Sequence, residues 1–173
     1  MAGTIRIGFL GCGYIGDFHA AMLADCGDGH VIGAVFDPDG ERAAKFAEKW
    51  RGTPVTGVDE VIDRSDAVFV CTWTSEHADM VRRAAARRRH VFCEKPLAFD
   101  ARAAAAMAET VGAAGIVAAV GLILRTTPAM LALREMLADP ASGRIMNIVF
   151  RDDQYIPCLL YTSDAADEED SVD

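Results

Sequence analysis

The chain has 173 residues, is 51% hydrophobic and carries a formal net charge of −9, enough apolar material for one packed core and length for little more than one ordinary domain. Six of the 26 acids (Asp164, Asp167, Glu168, Glu169, Asp170 and Asp173) lie at the C-terminal end, so the body sets 17 bases against 20 acids and offers no electrostatic footprint for nucleic acid. No run approaches the roughly 18 unbroken apolar residues of a membrane span, and the N-terminus lacks the basic-then-apolar layout of a secretory signal, so a soluble cytoplasmic protein with no membrane partner is expected.

The first element, Ile5-Arg6-Ile7-Gly8-Phe9-Leu10, reads as a buried parallel strand. It runs into Gly11-Cys12-Gly13-Tyr14-Ile15-Gly16, a G-x-G-x-x-G, with a helix-like stretch over 14–26 behind it. Apolar runs at 31–36, 67–71, 90–93 and 116–120 then alternate with helix-like stretches at 40–50, 76–88 and 101–113. This alternation predicts an α/β fold with a doubly wound parallel sheet of Rossmann type. Asp37-Pro38-Asp39-Gly40 punctuates the end of the second strand, and Asp100 is a candidate N-cap for the alanine-rich helix. Residues 53–63 read as a short strand, Thr53-Pro54-Val55-Thr56, and a brief helix over 58–62.

After residue 121 the pattern changes. Thr127-Pro128 opens a helix to about Ala138, Pro140-Ala141-Ser142-Gly143 breaks it, and Arg144–Phe150 is apolar and suited to a strand. One strand cannot bury its own faces, so it either pairs onto the first sheet or begins a second domain. The expected organisation is a dinucleotide-binding domain over 1–122, then a junction helix and the first strand of a truncated α+β substrate domain over 123–157. The run Cys158-Leu159-Leu160-Tyr161-Thr162-Ser163-Asp164-Ala165-Ala166-Asp167 resembles a translated sequencing-library adapter, and 158–173 is set aside as a non-native tail. A genuine acidic interaction tail is the alternative.

Cysteines 12, 26, 71, 93 and 158 form no C-x-x-C pair and read as buried thiols in a reducing compartment, with no metal site. Met22, Met80, Met107, Met130 and Met136 read as core filler. Arg82, Arg83, Arg87, Arg88 and Arg89 complement a helix C-terminus.

Each fingerprint glycine has a task a side chain would obstruct: Gly11 the tight turn, Gly13 close approach of a pyrophosphate, Gly16 close helix packing. The helix beginning at Tyr14 and Ile15 would aim its free N–H groups at the phosphates. Asp37 ends the second strand, 21 residues beyond Gly16, where an acid accepts from a ribose 2′-hydroxyl. A 2′-phosphate would meet like charge there and the nearest arginine is Arg42, so NAD is favoured over NADP. Asp37 could instead cap a helix beginning at Pro38.

In an open parallel sheet ligands lie outside the carboxyl ends of the strands, so Thr72-Trp73-Thr74-Ser75-Glu76-His77 and Glu94-Lys95-Pro96 should face the cofactor. Thr72, Trp73, His77, Glu94 and Lys95 are therefore candidate contacts, weighed against a surface lysine at 95, a structural acid at 94, strand-end hydrogen bonding at 72 and a helix-starting role for His77. His19 lies in the first helix without an assigned role. Pro96 is open to a cis bond, with trans the default.

The combination of G-C-G-Y-I-G with His19, V-C-T-W-T-S-E-H, C-E-K-P and G-L-I-L-R-T-T-P resembles the Gfo/Idh/MocA family of oxidoreductases over about residues 4–157. The resemblance implies NAD(P)-dependent oxidation of a sugar, cyclitol or related polyol hydroxyl, or the reverse. It makes Lys95 the catalytic residue, whose ammonium would stabilise negative charge building on the reacting oxygen. Arg125 and Pro128 match the family's R-x-x-P, where the arginine would contact cofactor or substrate. The family usually has T-P-N where this chain has Thr72-Trp73-Thr74. Family members pair through the open sheet face of a second domain, so the full-length protein is expected to be a homo-oligomer. That domain supplies a D-x-x-x-H pair; Asp152 and Asp153 do not fit it. The expectation is a cofactor-binding fragment, inactive alone, with a non-catalytic NAD(H)-sensing module and a methyltransferase as rivals.

Overall fold

The computed structural model describes residues 3–149. Strands β1 (Ile5–Leu10), β2 (His30–Phe36), β3 (Thr53–Pro54), β4 (Ala67–Val70), β5 (His90–Cys93) and β6 (Ala118–Val120) alternate with helices α1 (Tyr14–Ala24), α2 (Gly40–Trp50), α3 (Val58–Asp63), α4 (Thr74–Ala86) and α5 (Ala101–Ala114). All pairings are parallel and the strand order is β3-β2-β1-β4-β5-β6, the doubly wound arrangement with its switch point between β1 and β4.

Period-two alternation sends successive strand residues to opposite faces. On one face Leu10, Val68, Val70, Val91 and Cys93 pack with Val61 and Ile62 of α3, Met80, Val81 and Ala84 of α4 and Met107 of α5. On the other, Ile7, Phe9 and Val35 pack with Ala20 of α1 and Ala43, Phe46 and Ala47 of α2. A row of rings crosses that second face: Phe46 to Phe9 at 5.1 Å, Phe9 to Phe69 at 5.2 Å, Phe69 to Phe92 at 4.7 Å, and Phe92 to His19 of α1 at 4.7 Å. The row carries a chain of contacts from α2 to the end of β5.

Side-chain caps start two of the helices, α2 and α5. Asp39 accepts from the N–H groups of Glu41 and Arg42, and Asp100 from that of Ala103, each satisfying donors that a first turn leaves free. Helix α4 ends at Ala86, two residues earlier than its pattern predicts, because Arg88 is left-handed with φ 55°. Arg83 and Arg87 of the arginine cluster bridge to Asp59, and Arg87 also to Asp63, tying α4 to α3.

The chain divides into two compact units at Thr127/Pro128. Among the described residues the second holds α6 (Pro128–Ala138) and a 3-10 turn at Pro140–Ser142. The strand predicted over 144–150 is not formed by 144–149, which adopt no regular structure; residues 150–157 of the expected 123–157 segment and the 158–173 tail lie outside the described residues. Met80 and Met107 are buried as predicted, but Met22, Met130 and Met136 are exposed, as is Cys26. Met22 lies on α1 and Cys26 just beyond its end, and chain spacing does not say which turn of α1 meets the sheet. Among the described residues no helix is long and apolar enough to cross a membrane.

Candidate cofactor and active site

The glycine-rich turn leaves β1 at the switch point. Gly11 has φ +94°, and a Cβ there would lie 2.5 Å from the Cys71 carbonyl oxygen; a Cβ on Gly16 would lie 2.5 Å from the Gly11 carbonyl oxygen. Both positions are demanded by the protein's own packing. Gly13 is different, because nothing lies within 4 Å of where its Cβ would be. It is the N-cap of α1 and offers no capping side chain, so the first-turn N–H groups of α1 open onto free space. That space is of the kind a pyrophosphate requires, and the protein's own packing does not demand a glycine at position 13. The Tyr14 side chain is exposed, whereas Ile15 packs against the core and has its main chain to offer a phosphate.

Asp37 is buried at the end of β2. One carboxylate oxygen accepts from the Cys12 N–H at 2.9 Å, and the other from the Asp39 N–H at 2.9 Å and from the Arg42 guanidinium at 3.3 Å. Asp37 therefore ties the glycine-rich turn to the β2–α2 loop. It does not cap α2, which begins at Gly40 under Asp39. Arg42, five residues on, is brought directly beside it.

The loops after β4 and β5 meet through His77. Its ring is buried, with Nδ1 3.1 Å from the Pro96 carbonyl oxygen and Nε2 3.2 Å from the Thr72 carbonyl oxygen. His77 lies inside α4 and clamps the two loops together, a role its position near the helix start does not suggest. Thr72 donates its hydroxyl to the Met80 sulfur at 3.4 Å, and its main-chain nitrogen lies against Gly11. Trp73, the N-cap residue of α4, is 84% exposed.

Glu94 is buried, accepting from the Lys95 N–H at 2.9 Å and pairing with His19 Nε2 at 2.6 Å, side chains 8% and 11% exposed respectively. A Cβ on Gly121 would lie 2.8 Å from the same carboxylate, so a larger residue there would displace it. Glu94 thus holds the main chain of Lys95 while the Lys95 side chain is exposed. The Lys95-Pro96 peptide is cis, against the trans default. Arg125 lies in a 3-10 turn at Ile123–Thr126, and no side-chain hydrogen bond joins it to the other candidates among the described residues.

Three thiols sit at these strand ends. Burial, with the nearby Asp37 carboxylate adding to it, pushes Cys12 up to about 12. Burial and then Glu94 push Cys93 up to about 12, and burial also raises Cys71. None supplies a thiolate at neutral pH. Sequence reading missed the Glu94 partner His19, the Arg42 contact and the His77 clamp; the one available signal was His19 recurring with the glycine motif.

The family model described as an oxidoreductase family with an NAD-binding Rossmann fold, Gfo/Idh/MocA, matches residues 5–122. An inositol 2-dehydrogenase of Cereibacter sphaeroides is 38% identical over 135 residues, covering 76% of this chain and 40% of that protein. The structure of UDP-N-acetylglucosamine 3-dehydrogenase from Acidithiobacillus ferrooxidans superposes with a TM-score of 0.70 at 33% identity, covering 76% of this chain and 41% of that one. GenD2 from gentamicin A biosynthesis, solved in complex with NAD, gives a TM-score of 0.74 at 26% identity, covering 82% and 41%. The chain spans under half the length of these relatives. A parallel six-stranded sheet, a glycine turn open at Gly13 and a family match over most of the chain make it a member of the Gfo/Idh/MocA oxidoreductase family, carrying that family's NAD-binding Rossmann fold.

Proposed function

We propose that this chain is the cofactor-binding half of an NAD-dependent dehydrogenase acting on a hydroxyl of a sugar or cyclitol. The opening at Gly13, placed at the N-terminus of α1 and at the switch point of the sheet, carries the reading. In it, the main chain of Gly13, Tyr14 and Ile15 receives the pyrophosphate and Asp37 a ribose hydroxyl. Thr72, Trp73 and Arg125 flank the cofactor. Bound NAD supplies the hydride acceptor. Lys95 donates a hydrogen bond to the substrate oxygen, whose negative charge grows as hydride leaves the adjacent carbon. Glu94 and His77 serve by position: Glu94 fixes the Lys95 main chain, and His77 locks the Pro96 carbonyl to the Thr72 loop.

Among the described residues no acid or histidine pairs with the Lys95 ammonium, so these residues supply no complete route for the hydroxyl proton. The chain is therefore expected to bind NAD(H) without turning over. Relatives named as inositol and nucleotide-sugar dehydrogenases support the substrate class. Fluorescence titration with NADH, calorimetry with S-adenosylmethionine and an NAD-reduction assay on a cyclitol and sugar panel test the reading. NADH binding without reduction of NAD supports it. Failure to bind NADH, or binding of S-adenosylmethionine instead, overturns the cofactor assignment, and turnover by this chain overturns the half-site assignment.

A further inference from the structure

The Glu94 carboxylate is engaged from both sides. Its Oε1 lies 2.6 Å from Nε2 of His19 on α1, and its Oε2 accepts from the Lys95 main-chain N–H at 2.9 Å. The His19 and Glu94 side chains are almost fully buried, and the His19 ring is wedged against Phe92 at 4.7 Å and Phe69 at 5.8 Å. Gly121, just beyond β6, leaves the carboxylate its room. Stability does not explain a polar pair in this place. Two ionisable groups taken out of water lose hydration that their attraction rarely returns in full, and an apolar pair of similar volume would pack among these rings as well or better.

We propose that His19 is a positioning residue for Lys95, acting through Glu94. The proposal deepens the dehydrogenase reading above and rests on it. Without His19, the Glu94 carboxylate would be held only by the N–H of the residue that follows it, and both could turn together. With His19, the acceptor of the Lys95 N–H is anchored to a helix packed on the sheet. His19 lies five residues after Tyr14, about 7.5 Å along the helix axis, so α1 presents its first turn to the pyrophosphate and, about a turn and a half later, the ring that fixes the lysine loop. The Lys95 side chain is exposed, and a long side chain delivers its ammonium to a reacting oxygen reproducibly only if its main chain is held. An ångström of misplacement at such a group costs rate steeply.

The test follows the Lys95 amide by hydrogen exchange in NMR spectra of the wild-type chain and of His19→Phe, His19→Gln and His19→Asn, with the amides of β1 and β4 measuring global opening. Phenylalanine keeps the ring packing and loses the hydrogen bond, glutamine loses the ring and keeps a donor near the Nε2 position, and asparagine is too short to reach Glu94. Corrected for global opening, the Lys95 amide should exchange about tenfold faster in His19→Phe than in wild type, as when a hydrogen bond to a charged group is loosened, and near the wild-type rate in His19→Gln. A histidine that only fills space gives the opposite order, with the phenylalanine variant like wild type. Unchanged Lys95 exchange in His19→Phe, equal acceleration in His19→Gln, or acceleration no greater than that of the strand amides overturns the proposal. If His19→Phe does not fold, His19→Asn takes its place with the same expectation. NADH added to the wild-type chain should shift the Lys95 amide resonance. Binding that leaves this resonance in place overturns the placement of Lys95 beside the cofactor and with it the proposal, whereas failure of NADH to bind overturns the dinucleotide reading, whatever the exchange rates show.

Discussion

Gly11, Gly13 and Gly16 occupy one motif but answer to different constraints, and alanine at each should separate them. At Gly16 the new methyl would sit 2.5 Å from the Gly11 carbonyl oxygen, about an ångström inside ordinary contact, and the obstacle is backbone that cannot rotate away. Overpacking of this kind costs about 1–3 kcal/mol. At Gly11 a similar clash with the Cys71 carbonyl adds to a left-handed φ of +94°, worth roughly a further 1–2 kcal/mol. At Gly13 there is no clash, and φ −78° with ψ −167° is open to alanine. A poorer N-cap, at roughly 0.5 kcal/mol or more, is offset by a less flexible unfolded chain, at about 0.4–1 kcal/mol. Gly16→Ala and Gly11→Ala should therefore lower the melting temperature by several degrees, at roughly 3–6 °C per kcal/mol for a unit of this size. Gly13→Ala should melt within about 2 °C of wild type by the same conversion. Its defect should appear in NADH titration as at least about a tenfold loss, because the methyl fills the space a pyrophosphate needs. Thermal unfolding and nucleotide fluorescence on the same preparations give both numbers. A Gly13→Ala chain as unstable as Gly16→Ala, or one that binds NADH like wild type, refutes the division between fold glycines and a ligand glycine.

Three other expectations follow from the same geometry. His77→Ala removes a buried ring and leaves the Pro96 and Thr72 carbonyls facing a void, so the chemical denaturation midpoint should fall by the equivalent of about 2–4 kcal/mol; a loss below about 0.5 kcal/mol contradicts the clamp. The Arg6 side chain and main-chain N–H both bond Asp66, holding its carboxyl at about 2. A carboxylate lowered on folding stabilises the fold above its unfolded value of about 3.9 and loses that contribution as pH falls toward its folded value. The stability gap between wild type and Asp66→Asn should hold from neutral pH to about 4 and close by about 2, staying under about 1 kcal/mol because the pair is substantially exposed; a gap constant down to pH 2 refutes the assignment. In alkylation at pH 8 followed by peptide mapping, exposed Cys26 should react well before Cys12, Cys71 and Cys93, and early modification of Cys12 contradicts its buried, thiol form.

Element by element, the strands and helices of the first unit were readable because each leaves a local mark. Apolar runs bounded by Asp37-Pro38-Asp39-Gly40 or Asp100 give strand ends and caps without knowledge of any neighbour. The failures share one feature. The apolar pattern of 144–149 suits a strand, yet a strand forms only by pairing with an edge, which spacing along the chain cannot supply, and 144–149 adopt no regular structure. Met22 and Cys26 are apolar residues near the end of α1, but burial depends on which face of that helix the sheet covers. Asp37 was readable as the acid that ends the second strand, while its partners were not: Cys12 lies 25 residues away, and Arg42 reaches back across the turn only because Asp39 starts α2 where it does.

The sequence by itself determined the doubly wound sheet, the glycine turn at its switch point and the loops at its carboxyl edge, because periodicity and turn chemistry act over a few residues. Only the tertiary structure decided what those loops are held by. His19 meets Glu94 across 75 residues, His77 joins Thr72 to Pro96, and Gly13 alone of the three glycines faces open space. Such contacts depend on where each helix settles on the sheet, a consequence of packing all the layers together that the spacing of residues along the chain does not carry.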